Sequence, residues 1–277
     1  MLVIKNIDIN LKDTITCGQI FRYYIEEDNS YTVILSDRVV NLKMDNNDLI
    51  VKSNNYDNLE IIIKDYLDLN TDYNKINKKI IKNNKDVKQI VESCSGLKMI
   101  NQPKFECAIS YIISQNNRVP QISKALNNIS KKYGEKVIFE NKEYYLFPSL
   151  DKLTKVSKED FRKLKVGFRD EYLCGFISKL NNNEINLDYI DTLSSEDALK
   201  YLMKIKGIGE KVASCILVFS YSRYDVYPID TWVKKYMLDK YQINNVRDIK
   251  NYTKEKYDKY SGLVIQYMFH YKRNKEN

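Results

Sequence analysis

The stretch Lys204–Tyr236 reads KIKGIGEKVASCILVFSYSRYDVYPIDTWVKKY, and the fold of the whole chain turns on it. Gly207-Ile208-Gly209 separates two apolar patterns of helical period, which predicts two helices joined by a tight hairpin. The two glycines let the backbone come close to a partner. The unpaired amides at the start of the second helix point outward as anion donors. Lys211 places an amine at that same helix start. Asp230 follows nineteen positions later, after Tyr227-Pro228-Ile229, where a helix N-cap belongs. Taken singly, a first-turn lysine and a capping aspartate are ordinary surface features. A lysine there opposes the helix macrodipole, however, and that local cost suggests a use. Together these features can hold a phosphate backbone and set a nucleophile beside it.

Upstream the period changes. Residues 1 to about 55 alternate apolar and polar in short runs such as YTVILSD and RVVNLKM, separated by Asn- and Asp-rich breaks. That pattern predicts an antiparallel sheet. From Leu59 onward LEIIIKDYLDL, INKKIIKNN and VKQIVESC read as short amphipathic helices. After Ser95-Gly96 the chain reads as helix upon helix, broken at Pro103, Pro120, Pro148, Gly167 and Gly207. The expected class is α+β, with an N-terminal sheet domain over 1–95 and a helical domain over 96–277. Pro120 marks one helix start, and Ser157 before KEDFRKL marks another.

Composition narrows the chemistry. The formal net charge is +8 with a sequence pI near 8.9, which favours a polyanionic partner without proving one. Five cysteines (Cys17, Cys94, Cys107, Cys174, Cys215) are scattered with no CxxC, and His270 is the single histidine. No zinc or four-cysteine cluster site is expected from such a set. An odd number of cysteines without a secretory signal predicts reduced thiols in a cytoplasmic protein, nucleoid-associated if bacterial. No apolar run is long enough to span a bilayer, so no membrane partner is expected.

The segment LMKIKGIGEKVASCILVF…VYPIDTWV resembles the helix–hairpin–helix and Gly/Pro-Asp signature of the base-excision DNA glycosylase superfamily. Five further stretches resemble its 8-oxoguanine DNA glycosylase family, in the family's order. They are CGQIFRYY (Cys17–Tyr24), FECAISYIISQNNRV (Phe105–Val119), VGFRDEYL (Val166–Leu173) and YSGLVIQYMFHY (Tyr260–Tyr271), with FPSLDKL (Phe147–Leu153) between the second and third. The resemblance implies a bifunctional glycosylase/AP lyase that excises 8-oxoguanine from duplex DNA through a lysine Schiff base and then cleaves by β-elimination. By position, Lys211 is the nucleophile and Asp230 its electrostatic partner. Gly18 matches the glycine whose carbonyl reads the lesion. Phe269 and Cys215 match the two faces that sandwich the extruded base.

The family's glutamine for the Watson–Crick edge falls at Ile265, with Gln266 next to it. Asn116 matches the residue that fills the vacated gap. Phe168 and Arg169 match a wedge aromatic and an arginine that contacts the opposite base, phenylalanine standing for the more usual tyrosine. A second arginine of eukaryotic members falls at Gln121, which implies a relaxed preference for cytosine opposite the lesion. Backbone grip is expected from Gly207, Gly209, Lys204, Lys206 and Lys234. No cofactor is implied, apart from a structural ion that relatives often hold on the hairpin carbonyls. A monomer is expected. Trp232 and His270 read as packing residues, and the tail YKRNKEN as a solvated end. Two other readings stay open: an alkylpurine DNA glycosylase, which usually lacks the lysine, and a non-catalytic helix–hairpin–helix DNA-binding module.

Overall fold

The computed structural model describes residues 1–276 of the chain, so Asn277, the last residue of the tail, lies outside them. In chain order the elements are β1 (Leu2–Ile4), α1 (Leu11–Thr16), β2 (Tyr23–Ile25), β3 (Tyr31–Leu35), β4 (Arg38–Asp45), β5 (Asp48–Ser53), α2 (Leu59–Tyr66), α3 (Tyr73–Asn83) and α4 (Lys88–Ser93). Then come α5 (Lys104–Ser114), α6 (Val119–Tyr133), β6 (Lys136–Phe139), β7 (Lys142–Tyr145), α7 (Leu150–Leu153), α8 (Lys158–Lys163) and α9 (Asp170–Asn181). The chain closes with α10 (Ser195–Met203), α11 (Glu210–Tyr221), α12 (Thr231–Tyr241), α13 (Val246–Tyr257) and α14 (Ser261–Glu276). The class is α+β as expected: an antiparallel sheet followed by a mostly helical region.

The sheet has the order β1-β5-β4-β3-β2, with Val33 opposite Val40 and Leu42 opposite Val51. Alternation sends Val33, Leu35, Val40, Leu42, Leu49 and Val51 to one face, where they pack on Ile15 of α1 and on Ile63 and Leu67. Ile34 and Val39 point the other way. They are buried too, because a hairpin formed by β6 and β7 brings Phe139, Tyr144 and Leu146 over them. The hairpin departs from the expectation of helix upon helix. Its turn, Glu140-Asn141, has φ of 46° and 62°, the left-handed pair of a tight two-residue connection. KVIF and KEYY do not alternate apolar with polar residues, and no Gly marks the turn. Helix α1 also departs from the all-sheet reading of the first 55 residues, and Asn10 caps it by accepting from the Asp13 amide.

A second core joins the helices. It includes Tyr73 and Ile80 from α3, Val87 from the turn just before α4, and Ile90 and Val91 from α4, so these helices pack with the helical body and α2 packs with the sheet. Cys17 and Phe21, although close to the sheet in sequence, also belong to this helical core. The expected starts are seen at α6, with Pro120 in its first turn, and at α8, where Ser157 accepts from the Asp160 amide. No helix among the described residues is long and apolar enough to cross a membrane.

Candidate active site

Against the helical core, a cavity of about 260 Å³ opens to solvent. Lys211 and Asp230 both line it, together with Gly18, Cys215, Ile265, Gln266, Phe269, Trp232 and Arg273. Its floor is aromatic. Tyr111 stacks on Phe219 with centroids 5.6 Å apart, and Phe21 meets Tyr111 edge-on at 5.5 Å. A flat apolar slot with a few polar groups at its mouth suits a planar ring that carries hydrogen-bonding edges.

The hairpin that presents the lysine is fixed by local sterics. Gly207 has φ +90°, and a methyl group there would lie 2.3 Å from Cγ of Tyr172. Only glycine fits. Gly209 is different: its φ is −87° and a Cβ would meet nothing within 4 Å. The space above Gly209, at the start of α11, is therefore open to an outside group. Lys211, the second residue of α11, lines the cavity and remains exposed.

Asp230 serves two ends. Its carboxylate accepts from the Val233 amide at 2.9 Å and so caps α12. Burial nevertheless pushes its pKa above the usual carboxylate range, against the opposing pull of that cap and of the Lys211 charge. No direct ion pair joins Lys211 to Asp230 among the described residues. Cys215 stands one turn beyond Lys211 on the same face of α11. Burial pushes its thiol up to about 12, with Lys211 pulling the other way. At neutral pH it is a neutral wall group and not a competing nucleophile.

The opposite wall comes from remote segments. Gly18 has φ +89°, and a Cβ there would approach Nη1 of Arg273 to 2.8 Å and the Phe269 ring to 3.3 Å. The turn is held by Gln19, which is fully buried. Nε2 of Gln19 donates to the carbonyls of Lys98 and Thr14, and its Oε1 accepts from the Ile100 amide. The Gln19 carbonyl accepts in turn from Tyr111 Oη and Gln102 Nε2, each at 2.9 Å. Gln19 thus ties the glycine turn to the irregular link at 97–102. Helix α14 supplies Ile265, Phe269 and Arg273 at successive four-residue steps, which puts all three on the cavity side. Gln266, 7% exposed, lines the cavity beside Ile265 and donates to Cys17 Sγ at 3.5 Å.

The remaining candidates lie around the rim. Asn116 is exposed in the turn after α5 with φ +47°, while its neighbour Asn117 lines the cavity. Phe168 is 54% exposed and rests edge-on against Tyr172, the residue that packs under Gly207. Arg169 does not face outward. It is 6% exposed, donating to the carbonyls of Gln115 (2.8 Å), Val166 (3.0 Å) and Asn116 (3.0 Å). Its guanidinium clamps the Asn116 turn instead of projecting toward a base. Gln121 is exposed near the start of α6. Lys204 and Lys234 are exposed, whereas Lys206 pairs with Glu171 at 2.5 Å on the surface.

Three residues of the site escaped the sequence reading, two that line the cavity and one buried behind it. Trp232, read as packing, lines the wall next to Asp230. Gln19 was silent inside CGQIFRYY. Arg273 was read as part of a solvated tail, yet α14 continues through it and it reaches the cavity. The four-residue step from Phe269 was the signal that could have found it. His270 is buried as expected, 3.5 Å from Asp13. No group of three or more His, Cys, Asp or Glu side chains among the described residues could hold a metal ion.

The same architecture occurs in solved structures. A Clostridium acetobutylicum 8-oxoguanine glycosylase/lyase, in complex with double-stranded DNA containing cytosine opposite 8-oxoguanine, superposes with a TM-score of 0.94 at 35% identity, covering 99% of this chain and 96% of that one. This chain belongs to the 8-oxoguanine DNA glycosylase/lyase family. The profile of that family's N-terminal domain matches residues 1–108. An Arabidopsis thaliana N-glycosylase/DNA lyase is 26% identical over 242 residues, 84% of this chain and 66% of the plant protein. An Archaeoglobus fulgidus 3-methyladenine DNA glycosylase shares the fold at a TM-score of 0.82 with 18% identity, so the fold alone does not select the 8-oxoguanine chemistry within this superfamily.

Proposed function

We propose that this protein excises 8-oxoguanine from double-stranded DNA and cleaves the strand at the resulting site, with Lys211 as nucleophile. The observation that carries the reading is the shared cavity: an exposed lysine amine and a half-buried aspartate line one slot whose far wall is a glycine turn and an aromatic ring. Membership of a glycosylase/lyase family supports the same chemistry.

The base must leave the stack to enter the slot. The neutral Lys211 amine then attacks C1′ of the sugar, and the glycosidic bond breaks with its electron pair leaving on the base. Loss of the amine proton and ring opening give a Schiff base between Lys211 and C1′. That cation acidifies the C2′ proton. Its removal expels the 3′ phosphate oxygen, and hydrolysis of the imine frees the lysine. Asp230 stabilises positive charge on the sugar, and its partial burial limits the screening of that attraction. Cys215 and Phe269 offer the apolar faces for the ring, and Gly18 offers a carbonyl to the N7–H that the lesion carries and guanine lacks.

Asn116 fills the gap and Phe168 wedges beside it. With Gln121 uncharged and Arg169 bound to its own backbone, neither of the two family arginine positions presents a free guanidinium, which supports a relaxed preference for cytosine there. The amides at Gly209–Lys211 and the free ammonium groups of Lys204 and Lys234 grip phosphates, and Lys206 joins them by exchanging its solvent-screened pair with Glu171. Several hairpin carbonyls, those of Lys206, Gly207 and Ile208 among them, accept no donor among the described residues and would be free to hold an ion; no step needs one. The test is one gel with two duplexes, one carrying 8-oxoguanine and one carrying an alkylated purine, and three outcomes. Strand cleavage at 8-oxoguanine supports the reading, excision of alkylated purines alone supports the alkylpurine alternative, and binding without cleavage supports a plain DNA-binding module.

A further inference from the structure

We infer that Arg273 is a second lesion reader, donating a hydrogen bond to the oxygen at C8 of the extruded base. The inference rests on the 8-oxoguanine reading of the site. Nη2 of Arg273 is committed, donating to the Thr16 carbonyl at 2.7 Å. Nη1 has no protein partner among the described residues, and it lies where a Gly18 side chain would be, 2.8 Å from the position of a Cβ there. The guanidinium carbon sits 5.3 Å from the centre of the Phe269 ring. The residue therefore bridges the glycine turn and the aromatic, and it offers a free N–H edge to the cavity.

Oxidation of guanine changes two neighbouring atoms. N7 turns from acceptor to donor, and C8 gains a carbonyl acceptor. A backbone carbonyl at Gly18 answers the first change only. A charged donor held next to it answers the second, so the pair presents acceptor and donor to a matching donor and acceptor. Guanine meets that pair badly: its N7 lone pair faces a carbonyl, and its C8–H gives the guanidinium nothing to bond. Placing the donor on α14, with Nη2 anchored at Thr16, fixes its direction without blocking entry of the ring.

The test separates base reading from sugar chemistry. An abasic site has no base to read, yet its cleavage still needs the lysine amine. Arg273→Met and Arg273→Lys are assayed under single-turnover conditions on duplexes carrying 8-oxoguanine or a preformed abasic site. The expected result for Arg273→Met is a drop of about tenfold or more in the ratio of 8-oxoguanine excision to abasic incision, the scale of one charge-assisted hydrogen bond. Arg273→Lys, which keeps a donor of similar reach, recovers part of that ratio. A ratio that stays at the wild-type value in Arg273→Met, or a Lys variant as poor as Met, overturns the assignment. Wild-type protein that incises abasic DNA and leaves 8-oxoguanine untouched overturns the proposed function instead.

Discussion

The two walls of the cavity are built on different principles. The chemical wall, Lys211 and Asp230, comes from one hairpin and the two helices around it, within twenty-seven residues of chain from Lys204 to Asp230. The reading wall is assembled from the turn at Gly18, the turn after α5 and the end of α14, whose members are separated by up to the length of the chain. A local wall is set by turn sterics and helix caps, and so it is stiff and self-contained. A remote wall depends on tertiary ties, chiefly Gln19 and Arg273. Damage to the first should remove chemistry with little loss of fold; damage to the second should cost discrimination or stability first.

Asp230→Asn probes the chemical wall and carries the largest graded effect. Removing a preorganised charge of this kind lowers excision by about 10²–10³-fold. The fold should not suffer, because Asn caps a helix about as well as Asp. Burial raises the Asp230 pKa above its unfolded value, so its ionised form costs stability once pH rises through the folded-state pKa. The neutral variant escapes that cost, and thermal unfolding at pH 7 should show an equal or higher midpoint. A clearly lower midpoint would mean that the carboxylate is chiefly structural. The same shift predicts that the Asp230 step in the wild-type pH–rate profile lies above the ordinary carboxylate range, and Asp230→Asn should remove that step while leaving any limb due to the nucleophile.

Gly18→Ala probes the reading wall. A left-handed backbone costs a non-glycine residue about 1–2 kcal/mol, and the added methyl would push against Nη1 of Arg273. The ratio of 8-oxoguanine to guanine excision should shrink by about tenfold, while abasic incision falls less. Equal loss on both substrates would blur the distinction between the walls. Gln19→Leu tests the tie itself. It orphans the Ile100 amide and the Lys98 carbonyl, which costs about 2–3 kcal/mol in denaturant unfolding. A smaller change than about 0.5 kcal/mol would show that the turn is held by packing alone.

The contrast also explains what the sequence revealed. The hairpin, the Asp230 cap, the sheet of the first domain and the starts of α6 and α8 all follow from local rules, and all are read directly from residue order. The hairpin at β6 and β7 was hidden because Glu140-Asn141 makes its left-handed turn without glycine. Arg169 kept its place in the motif, but nothing local says that its donors turn inward to three carbonyls. Arg273 was masked by composition. Its neighbours Lys272, Asn274 and Lys275 make the stretch look solvated, although its step from Phe269 keeps it on the cavity face. Gln266 shows the limit of motif matching: an ungapped match puts Ile265 at the glutamine position, and the fold brings both side chains to the cavity.

The most direct measurement is borohydride trapping on a duplex with a single 8-oxoguanine, comparing wild type with Lys211→Gln. Wild-type protein should form a covalent protein–DNA adduct that survives denaturation. Lys211→Gln should bind the same duplex in a gel shift yet give no adduct. An adduct that persists in the variant would assign the nucleophile to another residue and contradict the account.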